Sequence, residues 1–416
     1  MKLSRRGMRT MYNRLKLTYP EYFKDFRCVG GKCEDTCCKE WDIEIDKDTF
    51  DDYCSIEDEK NRAVIMKSIR KNNECTSNDL DYGVIKLNDQ GICPFLEKSG
   101  LCAVYLMAGE EYLSNICTHF PRIMNKVDNQ YEISLDVACL EAAKLILGKK
   151  DGIRLECGEK DFKKYIINDE YNTNSKKFRN SPIKYFKEIR EFSIEIMQDR
   201  RFDLSRRLYI LGDFIDNLEK TADDDSSMIL QFMNEYDIEK TAHCYKRDNM
   251  DYMFQIIFFS NIVHSSKISK KAVSSAFRKY TEELLKGFSA EEIDEFKENS
   301  HSYMNAFDEC DRKVIQKYEY IFENYLVNFM YSNMFPFSES DIMFEGYIML
   351  LVRYSFTRFY LVGIYIQNGI YNANDIIRFI SVFGRTIEHD KNFLPKIADY
   401  IEENKYDNMD FAKKLI

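Results

Sequence analysis

Thirteen cysteines occur along the 416-residue chain, and eleven of them precede Gly158. Two groups have spacings that suit metal chemistry. The first is Cys28-x4-Cys33-x3-Cys37-Cys38. The second runs from Cys93 and Cys102 to Cys117 and Cys139. Thiolates are soft donors that suit zinc, Cu(I) or iron–sulfur centres. An adjacent pair such as Cys37-Cys38 rarely places both sulfurs on one small ion without strain. It serves a polynuclear cluster, or two neighbouring sites, more easily. The eight cysteines can therefore build one four-cysteine site with spare thiols, or two sites of four. Cys54, Cys75, Cys157, Cys244 and Cys310 read as packing residues, since unpaired Cys is among the most buried residue types.

Other side chains near these cysteines have chemical potential. His119 and Arg122 flank Cys117 and can orient its ligand loop or contact a cofactor carboxylate, for which an Arg fork is suited. Loop capping is the competing role. Trp41, the only tryptophan, can stack on an adenine or a sulfonium, or simply anchor a strand. Glu388-His389-Asp390 offers His389 as a general base, or as a helix-end cap. Tyr12, Tyr19, Tyr22 and Phe23 read as packing.

The elements that position these groups follow from periodicity. Residues 1–27 read as helical. Gly30-Gly31 supplies a permissive turn inside the first cysteine group. Trp41–Asp46, Tyr82–Leu87 and Tyr131–Val137 alternate apolar and polar residues, the pattern of half-buried strands. Residues 47–80 read as mostly helical, Asn88–Gly91 as a turn, and Leu101–Leu113 and Glu141–Leu147 as helices, the latter stopped by Gly148. Beyond about residue 160 the chain reads as helical. Val273, Phe277, Tyr280 and Leu284 share one helix face, with Gly287 at the C′ position. Asp223–Ser227 reads as a solvated loop. The fold class expected is α+β, mostly α: a small Cys-rich metal-binding module with short strands over 1–157, then a large helical domain over 158–416.

Composition narrows the function. A hydrophobic fraction of 44% excludes a mostly disordered chain, and the net charge of −10 argues against a general nucleic-acid binder. The start MKLSRRGMRTMYNRL is basic but leads into no apolar stretch, so no secretory signal is expected. The most apolar window, Tyr347–Ile366, carries Arg353 and Arg358, which reads as a buried helix rather than a membrane span. The expected location is therefore cytoplasmic, where thiols stay reduced and clustered cysteines read as metal ligands before disulfides. No G-x-G-x-x-G, Walker A, H-E-x-x-H, G-x-S-x-G or C-x3-C-x2-C motif is present.

Four blocks, FRCVGGKCEDTCCKEWDIEID, GICPFLEKSGLC, GEEYLSNICTHFPR and SLDVACLEAAKLIL, together resemble the flagellin lysine-N-methylase family. The front module is also similar to zinc- or iron-chelating CxxCxxCC domains. RRLYILGDFI, YLVNFMYSNMFPF and RTIEHDKNFL extend the resemblance, more weakly, to the helical part. The resemblance implies methyl transfer from S-adenosylmethionine to the Nε of lysines on flagellin, with a [4Fe–4S] cluster. It also implies that Cys28, Cys33, Cys37, Cys38, Cys93, Cys102, Cys117 and Cys139 match the family's motif cysteines. Leu140 stands where that motif carries proline. The transfer is either a polar SN2 step beside a structural cluster, or one in which an open iron position holds the cofactor. Two alternatives stand beside it: a zinc- or iron-stapled interaction protein without catalysis, and a thiol redox sensor.

Overall fold

The computed structural model describes residues 13–162, 165–247, 251–265, 274–288, 300–369, 371–390 and 393–416. They form two compact units. One comprises residues 13–142 and 155–170; the other comprises Ala143–Arg154 and Tyr171–Ile416.

In the first unit, Leu15, Leu17 and Tyr19 are buried and alternate with Arg14, Lys16 and Thr18. That period of two makes a strand, β1 (Asn13–Pro20). The helix expected over residues 1–27 is therefore replaced by a strand from Asn13 and a single 3₁₀ turn at Glu21–Lys24; residues 1–12 lie outside the described residues. β1 pairs in parallel with β6 (Gln130–Leu135) and antiparallel with β7 (Leu155–Phe162). β6 also forms a hairpin with β5 (Arg122–Val127), and β8 (Glu170–Tyr171) completes the order β7-β1-β6-β5-β8.

A second, smaller sheet has the order β2-β4-β3. The Trp41–Asp46 alternation yields only β2 (Glu44–Ile45), and Tyr82–Leu87 yields β4 (Gly83–Ile85). The expected helical run 47–80 becomes α1 (Lys47–Cys54) and α2 (Glu59–Ser68), capped by Asp46 and Asp58. It stops where Ile69 turns inward and starts β3 (Ile69–Lys71). Ile43, Ile45, Tyr53, Ile65, Ile85 and Phe95 form the core of this region, and Cys93 is part of it. Two short helices follow, α3 (Ala103–Ala108) and α4 (Asn115–His119), and α5 (Leu140–Leu147) ends just before Gly148, as expected.

The second unit is helical: α6 (Phe186–Gln198), α7 (Leu204–Asp225), α8 (Ile229–Glu235), α9 (Ile238–Cys244), α10 (Asp251–Ser265) and α11 (Ser275–Gly287). Then come α12 (Ser300–Cys310), α13 (Glu319–Ser332), α14 (Met343–Asn368), α15 (Ala373–Phe383), α16 (Phe393–Glu403) and α17 (Met409–Leu415). The acidic run at Asp223–Asp225 is the last turn of α7 and not a loop. Gly287 ends α11, but its role is close approach. A Cβ there would lie 1.8 Å from the Gly363 carbonyl oxygen on α14. Val273 lies outside the described residues. The apolar window Tyr347–Ile366 falls within α14, which is buried along most of its length. Arg358 is fully buried there and donates to the Leu415 and Ile416 carbonyls and to the Gln255 side chain. Among the described residues no helix is long and apolar enough to cross a membrane. The class is α+β, mostly helical, as the sequence indicates.

Candidate metal centre

The first cysteine group is shaped by two glycines. Gly30–Lys32 makes one 3₁₀ turn, closed by the Cys33 amide donating to the Gly30 carbonyl at 2.9 Å. Gly31 lies directly on the turn before Cys102. A Cβ on Gly31 would sit 2.2 Å from the Ser99 carbonyl oxygen, and one on Gly100, at φ +77°, would sit 2.7 Å from the Gly31 Cα. Backbone contact thus lays the Cys28–Cys33 loop against the Cys93–Cys102 segment.

The backbone also ties the two groups together further on. The Cys93 amide donates to the Cys38 carbonyl at 2.8 Å, and Lys39 and Ile92 form an antiparallel bridge. Leu96 and Cys102 form a second bridge, and the Ala103 amide donates to Phe95. Cys102 then sits at the N-terminal end of α3, and Cys139 directly precedes α5.

Cys117 lies on α4, whose first turn is held by two side chains. Ser114 Oγ accepts from the Cys117 amide, and the buried Asp46 carboxylate accepts from the Asn115 amide at 2.7 Å. The other Asp46 oxygen accepts from Thr49 N at 2.9 Å and caps α1. One carboxylate therefore fixes two helix starts. Replacing Asp46 with Ala is expected to cost about 2–3 kcal/mol, because two charge-assisted backbone bonds are lost in a buried place. Asp46→Asn should recover part of this, since its amide oxygen still accepts. Urea denaturation of the three proteins measures the order.

The thiols are electrostatically unequal. Hydrogen bonds from the Cys37 and Thr36 side chains hold the Cys38 thiol below its ordinary value, against the opposing effect of burial. Burial pushes Cys93 up to about 12 and Cys139 up to about 11. The contacts that join the two cysteine groups are those of the backbone, at Gly31 against Ser99 and Gly100 and at Cys38 against Cys93. Among the described residues no three Cys, His, Asp or Glu side chains converge on a point that an ion would fill. The eight thiols are thiophilic donors by their chemistry, and the described residues form no finished cage around an ion.

His119 is buried, its Nε2 has no hydrogen-bond partner, and burial together with the Arg122 charge pushes it down to about 4. It is therefore a neutral imidazole at pH 7. Arg122 is half-buried, donates to the His119 carbonyl and lies over the Phe26 ring. Trp41 packs on Phe120 at 4.7 Å between ring centres, and its Nε1 donates to the Cys37 carbonyl at 2.5 Å. It braces the cysteine loop. His389 is exposed and belongs to the helical unit, where its neighbour Glu388 accepts from the Tyr325 hydroxyl and pairs with Arg353. Of the five cysteines read as packing, only Cys310 is buried; Cys54, Cys157 and Cys244 are exposed and Cys75 is half-buried. Asp46 was not singled out by spacing, because its partner amide at Asn115 is 69 residues away.

Fold and site define a protein with a thiol-rich unit built on two small sheets and a second unit of packed helices. The family model of the FliB lysine N-methylase C-terminal domain matches residues 190–415. The lysine-N-methylases of Salmonella choleraesuis (strain SC-B67) and Salmonella typhimurium (strain LT2) are each 24% identical to this chain over 409 residues, covering 93% of it and 96% of their own length. The flagellar biosynthetic protein FliU of Salmonella muenchen is 34% identical over 169 residues, 39% of this chain and 95% of that protein. No solved structure matches. The chain belongs to the lysine N-methylase family.

Proposed function

We propose that this protein acts in the cytoplasm as a protein-lysine N-methyltransferase. It would move the methyl group of S-adenosylmethionine onto the Nε of lysines on flagellin, with a [4Fe–4S] cluster held by its cysteines. The observation that carries this reading is the backbone contact between two sequence-distant cysteine segments, at Gly31 against Ser99 and Gly100 and at Cys38 against Cys93, in a chain whose relatives are named lysine-N-methylases along nearly their whole length. The flagellar name of a third relative supports flagellin as the substrate.

In the transfer, a C–N bond forms as the sulfonium C–S bond breaks. S-adenosylhomocysteine leaves, and the amine loses its proton to solvent. The step needs a deprotonated lysine in line with the methyl group, so positioning is the protein's main contribution. A [4Fe–4S] cluster with an open iron position would supply a Lewis-acidic anchor for the amino-carboxylate end of the cofactor. Three of Cys38, Cys93, Cys102 and Cys117 would hold such a cluster and leave one iron open, with Cys28, Cys33, Cys37 and Cys139 as the adjoining set. Neutral His119 would not repel an approaching lysine ammonium, and Arg122 offers a fork for a carboxylate.

The test is anaerobic purification followed by iron, sulfide and zinc analysis, and incubation with flagellin and methyl-labelled S-adenosylmethionine. The expected protein is brown, bleaches on reduction and labels flagellin on lysine. Cys38→Ser and Cys93→Ser should lose both iron and labelling while keeping their helical signal. Colourless, zinc-loaded protein that labels nothing would sink the reading.

A further inference from the structure

The five-stranded sheet ends in two unlike strands. On one side stands β8, two residues long, the kind of short edge that resists pairing with another chain. On the other side stands β7, eight residues long and without proline. It pairs with β1 residue for residue, from Asn13 opposite Phe162 to Pro20 opposite Leu155, so no bulge interrupts it. Among the described residues no strand or loop pairs with its outer side. A row of main-chain N–H and C=O groups therefore faces outward along β7, a template for one more strand.

The side chains of β7 select that strand. Glu156, Gly158 and Lys160 share one face, and Cys157, Glu159 and Asp161 share the other. Lys160 lies over the Phe23 and Phe162 rings, at 5.1 and 5.7 Å from their centres, and has no carboxylate partner among the described residues. Glu156 pairs with Lys24 through Oε2, and its Oε1 remains for a second cation.

A second copy of β7 meets both demands in one register. Two identical strands pair antiparallel about a two-fold axis perpendicular to the sheet, which keeps every side chain on its own face. Faces alternate residue by residue, so the axis passes beside a residue and never between two. Centring on Glu156, Glu159 or Asp161 sets a carboxylate opposite its own copy, and centring on Lys160 does the same for an ammonium. Like charges directly opposite are destabilising. Centring on Cys157 brings no charge pair together within β7. Centring on Gly158 sets Glu156 opposite Lys160 on both sides of the axis, Cys157 opposite Glu159 and Leu155 opposite Asp161, with no like pair. It also uses nearly the whole strand, and Gly158 puts no side chain at the axis.

We infer that two copies of this chain associate through β7, antiparallel and centred on Gly158, so that one sheet runs across the dimer. Main-chain hydrogen bonds supply the attraction, and the two Glu156–Lys160 contacts fix the register. The association is independent of the methyl-transfer chemistry.

Sedimentation velocity of the full-length protein tests the pairing, over a concentration series in reducing buffer so that exposed Cys157 forms no disulfide. Wild type is expected to show a concentration-dependent dimer. Lys160→Glu and Glu156→Lys each place two like-charge pairs in the interface. Each should raise the dimer dissociation constant about tenfold or more, equivalent to about 1.4 kcal/mol. Lys160→Gln removes the attraction without adding repulsion and should fall between. An equimolar mixture of Lys160→Glu and Glu156→Lys restores both opposite-charge pairs, so it should return to wild-type affinity as a heterodimer. That recovery also shows both variants to be folded. A monomer at the highest concentration, a dimer indifferent to both charge reversals, or a mixture no tighter than either variant alone overturns the inference.

Discussion

A Glu323→Ala chain is expected to lose about 3–5 kcal/mol of stability, the range for breaking a buried ion pair from one side. Glu323 and Arg207 are each 1% exposed, and the pair is 2.6 Å apart. Removing the carboxylate leaves the Arg207 guanidinium in the interior with only Glu319 and the Met197 carbonyl. Arg200 loses its two-nitrogen contact in the same change, but its side chain is 43% exposed and water compensates it. Most of the cost therefore comes from Arg207. Glu323→Gln keeps the shape and one acceptor, and should fall between wild type and Ala. The measurement is urea denaturation followed by helical circular dichroism. Added salt should recover little of the loss, because screening acts on solvent-exposed charges. An Ala variant within about 0.5 kcal/mol of wild type, the scatter of ordinary surface changes, would show that the network is not structural.

The second large effect is expected at Gly31. In Gly31→Ala the new Cβ would stand 2.2 Å from the Ser99 carbonyl oxygen, and both colliding groups are backbone. Neither can yield by a rotamer change, so the Cys28–Cys33 loop must lift from the turn at Gly100. Overpacking of this kind costs about 1–3 kcal/mol. The larger consequence is expected in iron content, because Cys28 and Cys33 separate from Cys102 and the rest of the thiols. Gly30→Ala is the comparison. Its φ of +54° strains an alanine, but its nearest neighbour is the flexible Leu101 Cδ2 at 3.2 Å. Iron and sulfide per chain should fall in the order wild type, Gly30→Ala, Gly31→Ala, with helical content unchanged. Wild-type iron content in Gly31→Ala would show that the crossing of the two loops does not matter to the site.

Much of this was legible from residues alone. The eight cysteines stand out by spacing; the structure brings their loops into backbone contact at Gly31 and at Cys38–Cys93, and among the described residues no three metal-binding side chains converge. The alternation over Tyr131–Val137 becomes β6, which is covered on both faces since Glu132 and Ser134 are buried with Ile133 and Leu135, and the helix over Glu141–Leu147 follows its periodicity. β1 was equally legible in principle: Leu15, Leu17 and Tyr19 alternate cleanly, but the basic residues around them pull the reading toward a helix. The Asp46 double cap and the Arg207–Glu323 pair were not legible. Their partners lie 69 and 116 residues away, and a lone charged residue in a helical pattern looks like solvated surface until the partner is known. The exposed Cys54, Cys157 and Cys244 show the converse. Residue type alone suggested burial, while their neighbours in sequence leave them at the surface.

The pairing of β1 also bears on how the chain is made. β1 matches Leu17 to Tyr131 and Asn13 to Phe162, so all eight motif cysteines lie inside a chain loop closed by that pairing. Contacts of such separation form late, since closure entropy must be met before they contribute. During synthesis, the ribosome must pass residue 162 before this sheet can assemble. Until then the cysteines are carried on an open chain, accessible to whatever delivers or removes metal. Gathering of these thiols and completion of the sheet are therefore coupled in time, over an interval that lasts as long as about 150 residues take to translate, on the order of ten to thirty seconds.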